Sequence, residues 1–460
     1  MDKAQIYVGL DIGTTAIRVI VGESINEHLN IIGVGSEQSQ GLKDGVIVDI
    51  DKVVAATRKA VHQAQAKANV KFDQVVVGVP AKEMLIEPVK GMAIVADQPK
   101  EITDQEVRNV ASAALSRNLP PEREIVAITP QQFIVDGQAH IVDPRGMSAV
   151  RIEMEALVYS VPTLVVNNIR KVLERTGLRL KHFVLNSLAL STVALNDGEQ
   201  DFGTILMDMG GAQSTAYVIH DHQLKFIVED DEGGDNLTKD VSVVLNTSMT
   251  SAEKIKRNYG VANPRSTSDS EKFPVEIVGQ DDPVLVDETY LSEILEARFE
   301  QIFDRLAAKL EQVHAFDLPG GVVITGGVAE TMSLNSLAAE LLDAKVRIYT
   351  PKEMGLRNSS FATVLGLITY AAGLSEIELL VTSVINHNAL SATASQPAVQ
   401  KESESAQTSD SRFSTFGFGN RSNQTPSQQN QAKSPTTAAK KPKQSEPKNK
   451  FRNFFNKFFD

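Results

Sequence analysis

Apolar positions along the first 385 or so residues come in two alternating rhythms. Short apolar runs predict strands over 6–10, 17–21, 74–79, 125–128, 203–207, 216–219 and 322–325. Between them, apolar residues recur every three or four positions and predict helices over 51–69, 104–118, 163–176 and 288–313. Asp51 and Asp104 stand where N-caps are expected. Such alternation is the pattern of an α/β protein.

Beyond residue 388 the rhythm stops. Residues 401–450 hold only seven apolar residues, four of them Ala, among Ser, Gln, Asn, Lys, Thr and Pro. That composition cannot bury enough apolar area to offset the entropy of ordering, so a disordered linker is expected over 386–447. A different pattern closes the chain. Phe451, Phe454, Phe455, Phe458 and Phe459 follow the i, i+3, i+4, i+7, i+8 spacing of one helix face. At 100° per residue they span an arc of roughly 140°, and an amphipathic helix is expected over 448–460. Docking on the protein's own body or on a partner is one use of such a helix. Lipid is favoured by the long linker, the purely aromatic face and the nearby Lys440, Lys441, Lys443 and Lys448. Lys450, Lys457 and the five Phe residues are the expected membrane contacts. So short a helix is marginal in water and should fold on the membrane.

Length and charge sharpen this picture. A chain of 460 residues exceeds one core, and two lobes of roughly 150–200 residues are expected. With no cysteine, disulfides and Cys-ligated metal sites are excluded. The first residues lack the basic-then-apolar pattern of a signal peptide, and no apolar run reaches about 18 residues, so any membrane role is expected to be peripheral. The net charge of −12 divides into +5 over residues 440–460 and −17 over the rest. An acidic body argues against general nucleic-acid binding.

Four short motifs suggest a nucleotide. Asp11-Ile-Gly-Thr-Thr joins two apolar runs, a hairpin whose tip (Gly13, Thr14, Thr15) can offer amides and hydroxyls to phosphate. Taken alone it is equally an ordinary turn. Asp208-Met-Gly-Gly-Ala-Gln repeats the design 197 positions later, with Gly210, Gly211, Ala212 and Gln213 at its tip. Two such hairpins facing each other would clamp a triphosphate, with Asp11 and Asp208 holding Mg²⁺ through water. A third strand runs into Gly326 and Gly327, which would let the backbone approach an adenine ring. A fourth segment, Gly233-Gly234-Asp235, opens a helix that can aim amides at phosphate. Glu253 and Lys256 share one helix face and can grip a ribose or simply form a solvated ion pair.

The order and spacing of these motifs resemble the actin, sugar-kinase and heat-shock chaperone superfamily. The finer resemblance, over about residues 5–380, is to the FtsA family of bacterial cell-division proteins. Gly233-Gly-Asp-Asn-Leu-Thr-Lys-Asp, the run Ala252-Glu-Lys-Ile-Lys-Arg-Asn-Tyr-Gly260, and Asp143-Pro-Arg-Gly-Met147 carry it. The resemblance implies an actin-like, ribonuclease-H-like duplicated two-lobe fold. Its parts would be a first-lobe core (1A) at 1–82 and 166–200, an inserted subdomain (1C) at 83–165, a second-lobe core (2A) at 201–239 and 301–385, and a small subdomain (2B) at 240–300. It further implies ATP and Mg²⁺ as ligands, self-association into filaments, and recruitment of later division proteins. The partner FtsZ would bind through its C-terminal peptide at 240–300, on the cytoplasmic face of the cell membrane at the division site.

The chain departs from the family pattern in three places. Where many members have a basic residue just after the first phosphate turn, it has Ala16, with Arg18 on the same strand face. Ala212 replaces a third Gly, and Leu185-Asn-Ser-Leu-Ala-Leu-Ser replaces the Pro-x-Ala-Ser-Ala pattern. No residue suggests itself as the group that positions water for hydrolysis. A weak ATPase at most is expected, and no metabolic enzyme. The competing readings are an actin-like pilus-assembly adaptor and a small-molecule kinase of the same superfamily.

Overall fold

In the computed structural model, residues 5–394 are described except 27, 44, 117 and 118, with side chains placed through residue 385. Of the linker expected over 386–447, residues 386–394 are instead helical, the end of a helix that starts at Glu376; the rest of it and the expected Phe-rich helix lie outside the described residues. The chain starts with an antiparallel meander, β1 (Gln5–Ile12), β2 (Ala16–Ile25) and β3 (His28–Gln38). Helix α1 (Ile50–Ala68) follows. Its N-cap is Asp49, whose Oδ1 accepts from the Lys52 amide at 3.2 Å, so the expected cap at Asp51 is corrected: Asp51 lies in the first turn, where its charge suits the helix dipole. Strand β4 (Gln74–Val79) then pairs parallel to β1.

An inserted subdomain comes next: β5 (Leu85–Ile94), α2 (Asp104–Leu115), β6 (Arg123–Val135), β7 (Gln138–Ile141) and β8 (Arg151–Pro162). Its four strands form one antiparallel sheet in the order β7-β6-β8-β5. Helix α2 is capped by Thr103, not by Asp104 as expected. Thr103 and Glu106 form a reciprocal capping box, which places Asp104 one position inside the helix. The chain returns through α3 (Thr163–Thr176), β9 (Arg179–Leu185) and α4 (Asn186–Ala194).

The second lobe repeats the first. β10 (Thr204–Met209), β11 (Ser214–His220) and β12 (Gln223–Asp230) form a meander. Helices α5 (Gly234–Val244) and α6 (Met249–Tyr259), the hairpin β13 (Lys272–Val275) with β14 (Val284–Asp287), and the long α7 (Glu288–Gln312) follow. β15 (Val322–Thr325), α8 (Leu334–Leu342) and β16 (Val346–Ile348) complete the sheet, and α9 (Ala362–Gly373) and α10 (Glu376–Ala394) end the described chain. The first-lobe sheet runs β3-β2-β1-β4-β9 and the second β12-β11-β10-β15-β16. Both are a three-strand meander extended by two parallel strands, the form of a duplicated unit.

Two helices run across the expected segment limits. The limit at residue 300 falls inside α7, whose buried face (Leu291, Leu295, Phe299, Ile302, Phe303, Leu306, Leu310) belongs to one continuous core with β13 and β10. Helix α9 packs on the first lobe. Val364, Leu367, Ile368 and Ala371 of α9 pack with Tyr7, Ile20, Val76 and Val184 of the first-lobe sheet. Helix α10 then packs Ile377, Leu380, Val381, Val384 and Ile385 into the core of the inserted subdomain. The physical reason is area: α9 is apolar almost all round, so it has to be buried between layers rather than lie on a surface. Among the described residues no single helix is long and apolar enough to cross a membrane. The pair α9 and α10 approaches that composition only together, bent by 111° at the break.

Candidate functional site

Both sheets place an aspartate near the C-terminal end of their first strand. In β1, Asp11 pairs with Arg18 of β2; in β10, Asp208 pairs with Thr215 of β11. The turn after each strand closes with the same bond. The Gly13 amide donates to Ala16 O at 3.2 Å, and the Gly210 amide to Gln213 O at 2.9 Å. The two turns meet across a cleft: a Cβ built on Gly211 would lie 2.1 Å from Thr15 Oγ1, so any larger residue there would have to displace that hydroxyl. Gly326, at φ 96°, is more tightly constrained, since a Cβ there would lie 2.5 Å from both Asp208 Oδ1 and the Met209 carbonyl oxygen.

The cleft holds a cavity of about 460 Å³, within the usual range for small-molecule sites. Asp11, Gly13, Thr14, Thr15, Asp208, Gly210, Gly211, Ala212, Gln213, Gly234, Asp235, Glu253, Lys256, Gly326 and Gly327 all line it. Gly233 does not, and the role expected for its segment changes. The Gly234 and Asp235 amides donate to Gly210 O (3.0 Å) and Gly211 O (2.7 Å), so the start of α5 supports the second turn rather than offering those amides to phosphate. A separate hollow of about 550 Å³ beside β12, lined by Lys82, Phe226 and Lys309, has neither the glycine turns nor the paired aspartates.

Charge in the cleft is balanced tightly. Burial pushes Asp208 up to about 6, helped by the neighbouring Asp11 and opposed by Arg18. Asp11 is also raised by burial, with Arg18 pulling it back. The Arg18 guanidinium lies 3.8 Å from Asp11 Oδ2 and stacks on Phe361 at 5.4 Å. Two buried carboxylates lining one cavity offer hard oxygen donors that would suit Mg²⁺ coordinated through water. At the other end, Lys256 Nζ lies 2.7 Å from Glu253 Oε2 and donates to Gly234 O (2.7 Å) and Thr238 Oγ1 (2.6 Å). Burial works against the Glu253 charge, but hydrogen bonds from Lys256 and Thr238 bring its carboxyl down to about 2. The Glu253–Lys256 pair is thus ordered and partly buried, not a freely solvated ion pair.

Sequence reasoning missed several lining residues. Arg18, Arg257, Asn186, Asn358, Ser360 and Thr363 also face the cavity. Arg18 carried a signal, its shared strand face with Ala16. Arg257 carried another, at i+4 from Glu253. Asn186 lay in the connecting segment that departs from the family pattern but was not singled out there; Asn358, Ser360 and Thr363 carried no signal, because they reach the cleft only through chain reversals distant in sequence.

Two sheets of like topology, each with a glycine turn and an aspartate lining one cleft between them, define an actin-like protein. Solved structures agree on the fold. The PilM–PilN type IV pilus biogenesis complex matches with a TM-score of 0.55 at 14% identity, covering 80% of this chain and 99% of that one. MreB5 of Spiroplasma citri bound to ADP matches with a TM-score of 0.50 at 13% identity, covering 79% and 94%. Residues 205–366 match the family model of the cell division protein FtsA, and residues 82–160 that of the SHS2 domain inserted in FTSA. The cell division protein FtsA of Enterococcus hirae is 52% identical over 377 residues, covering 82% of this chain and 85% of that protein. Those of Streptococcus pneumoniae and Bacillus subtilis are 42% and 37% identical over 84% and 82% of this chain. The chain belongs to the FtsA family of cell division proteins.

Proposed function

We propose that this protein binds Mg-ATP in the cleft, assembles into filaments on the inner face of the cell membrane, and tethers FtsZ there at the division site. The observation that carries the nucleotide reading is the pair of phosphate turns meeting at Gly211 and Thr15 above Asp11 and Asp208. Nucleotide occupies the same fold in ADP-bound MreB5 of Spiroplasma citri. In this reading Gly13, Thr14, Thr15 and Gly210–Gln213 contact phosphates, Glu253 and Lys256 hold the ribose, and Gly326 and Gly327 accept the base. The small subdomain around 240–300 receives the FtsZ C-terminal peptide, other division proteins join the filament, and the Phe face near the chain's end holds lipid. At 14% identity the pilus relative shares the fold alone. The test is calorimetry of Mg-ATP binding. Asp208→Ala should weaken affinity by about tenfold or more while the melting temperature stays near that of the parent. An unchanged affinity overturns the site.

A further inference from the structure

We infer that the Gln213 side chain is a clasp between the two lobes, through which nucleotide in the cleft sets the seating of the inserted subdomain; the inference rests on the nucleotide reading above. Gln213 ends the second glycine turn, where its main-chain oxygen accepts the Gly210 amide at 2.9 Å. Its side chain leaves the turn and reaches the first lobe by two routes. On one side it lies against Gly45, in the short hairpin of residues 42–47 that follows β3. A Cβ built on Gly45 would stand 3.0 Å from Gln213 Cδ and closer still to Oε1, and the φ of 74° there is one that glycine adopts readily. Gly45 and Gln213 both line the cavity, so their contact closes part of its wall. On the other side Gln213 Nε2 donates to Asp231 Oδ1 at 3.1 Å, and Lys82 Nζ donates to the same oxygen at 2.7 Å. Lys82 stands between the end of β4 and the start of β5, where the chain enters the insert. The next residue adds a second link, since the Glu83 amide donates to Glu229 Oε2 at 3.2 Å.

Each link is weak by itself. Asp231 is largely exposed, so solvent screens its pair with Lys82. Position gives the links their effect, because one side chain joins the turn that would hold phosphate to the residue at which the insert begins. Phosphate on the turn fixes the Gln213 main chain and with it the direction of the side chain. The clasp then favours a closed cleft and a seated insert. Linkage makes the effect reciprocal: a broken clasp shortens the stay of the nucleotide. Neither Lys82 nor Asp231 lines the cavity, so their effect on bound nucleotide is indirect.

The experiment uses the full chain. Stopped-flow release of a fluorescent ATP analogue is measured for the parent, Gln213→Ala, Asp231→Ala and the double variant, and hydrogen exchange over residues 82–86 is followed with and without Mg-AMPPNP. Each single substitution should speed release by about threefold to tenfold, the net worth of one hydrogen bond. The double variant should release no faster than Gln213→Ala, because both changes break the same clasp. Bound AMPPNP should slow exchange over 82–86 in the parent and not in Gln213→Ala. Faster release in Gln213→Ala with parent-like release in Asp231→Ala would mean a direct phosphate contact alone and overturns the clasp. Additive effects in the double variant overturn it too, as does equal protection of residues 82–86 in the parent and Gln213→Ala. A parent that fails to bind the analogue overturns the nucleotide reading and this one with it; binding with parent-like release in both single variants overturns this one alone.

Discussion

The chemistry of the cleft reduces to a few residues in low-dielectric surroundings. Asp208 is raised to about 6 because burial disfavours its charge and Asp11 faces it, with Arg18 offsetting part of the effect. A raised carboxyl binds its proton more tightly in the folded state than in the unfolded one. Without ligand, the fold should therefore gain stability as pH falls from above 6 towards the ordinary value of 3.8. Metal binding has the opposite sign, since a water-mediated contact needs the ionised carboxylate. Mg-ATP affinity should hold above neutrality and fall as pH drops through about 6; a calorimetric titration from pH 5 to 8 with no such fall would contradict the assignment. Gly326 offers a second test. Its φ of 96° and its contact with Asp208 leave no room for a side chain. Gly326→Ala should lower stability by about 1–3 kcal/mol and weaken nucleotide binding, as read by thermal melting with and without Mg-ATP.

At the scale of elements, the inserted subdomain is not closed by its own residues. Its core is completed by α10, more than 200 positions away from β8, through Leu380, Val381 and Val384. Arg145 marks the same junction, 3.2 Å from Glu376 Oε2 and in contact with Asp143 and Asp104. Leu380→Ala should cost about 2–4 kcal/mol and open the insert to limited proteolysis before either lobe; cleavage that starts in the lobes would count against this packing. The helix proposed for the Phe-rich end belongs to the same scale, and its residues lie outside the described ones. In the proposed function, burial of its Phe face at the headgroup boundary, with about 1 kcal/mol for each nearby basic residue, should give weak binding per copy. Phe455→Glu with Phe458→Glu should leave the protein soluble and able to bind ATP but absent from pelleted anionic vesicles. Pelleting of that double variant would place the anchor elsewhere.

Across the whole body, polar bridges join the second glycine turn to the root of the insert. Asp231 Oδ1 accepts from Gln213 Nε2 at 3.1 Å and from Lys82 Nζ at 2.7 Å, and the Glu83 amide donates to Glu229 Oε2 at 3.2 Å. Gln213 thus ties a turn of the second lobe to Lys82 of the first. Lys82→Ala should speed nucleotide release a few-fold at unchanged association, as stopped-flow with a fluorescent analogue would show; an unchanged off-rate would mean the bridge carries no strain from the cleft. Membrane attachment, as proposed above, would act at this scale too. An unstructured stretch of about 55 residues would have a root-mean-square reach of roughly 40 Å, and a filament with many weak anchors would hold lipid through avidity. That would couple attachment to ATP-dependent assembly.

The sequence by itself determined the α/β class, the two aspartate hairpins and the Phe periodicity, because each is a local pattern. Strand alternation, a glycine turn and helical spacing are set by neighbours a few residues apart. Asp11, Asp208 and the residues of both glycine turns were picked out for that reason, and all of them line the cleft. What only the tertiary structure decided depends on contacts between distant segments. The Gly234 and Asp235 amides are spent on the second turn because the two segments meet in space. Helix α9 leaves the second lobe because the first-lobe sheet offers it an apolar face. Asn186 reaches the cleft because strands β1, β4 and β9 lie side by side and Gly78, between them, has no side chain. Local pattern specifies an element; which elements share a core or a cavity follows from burial across the whole chain, and no short window of sequence contains that.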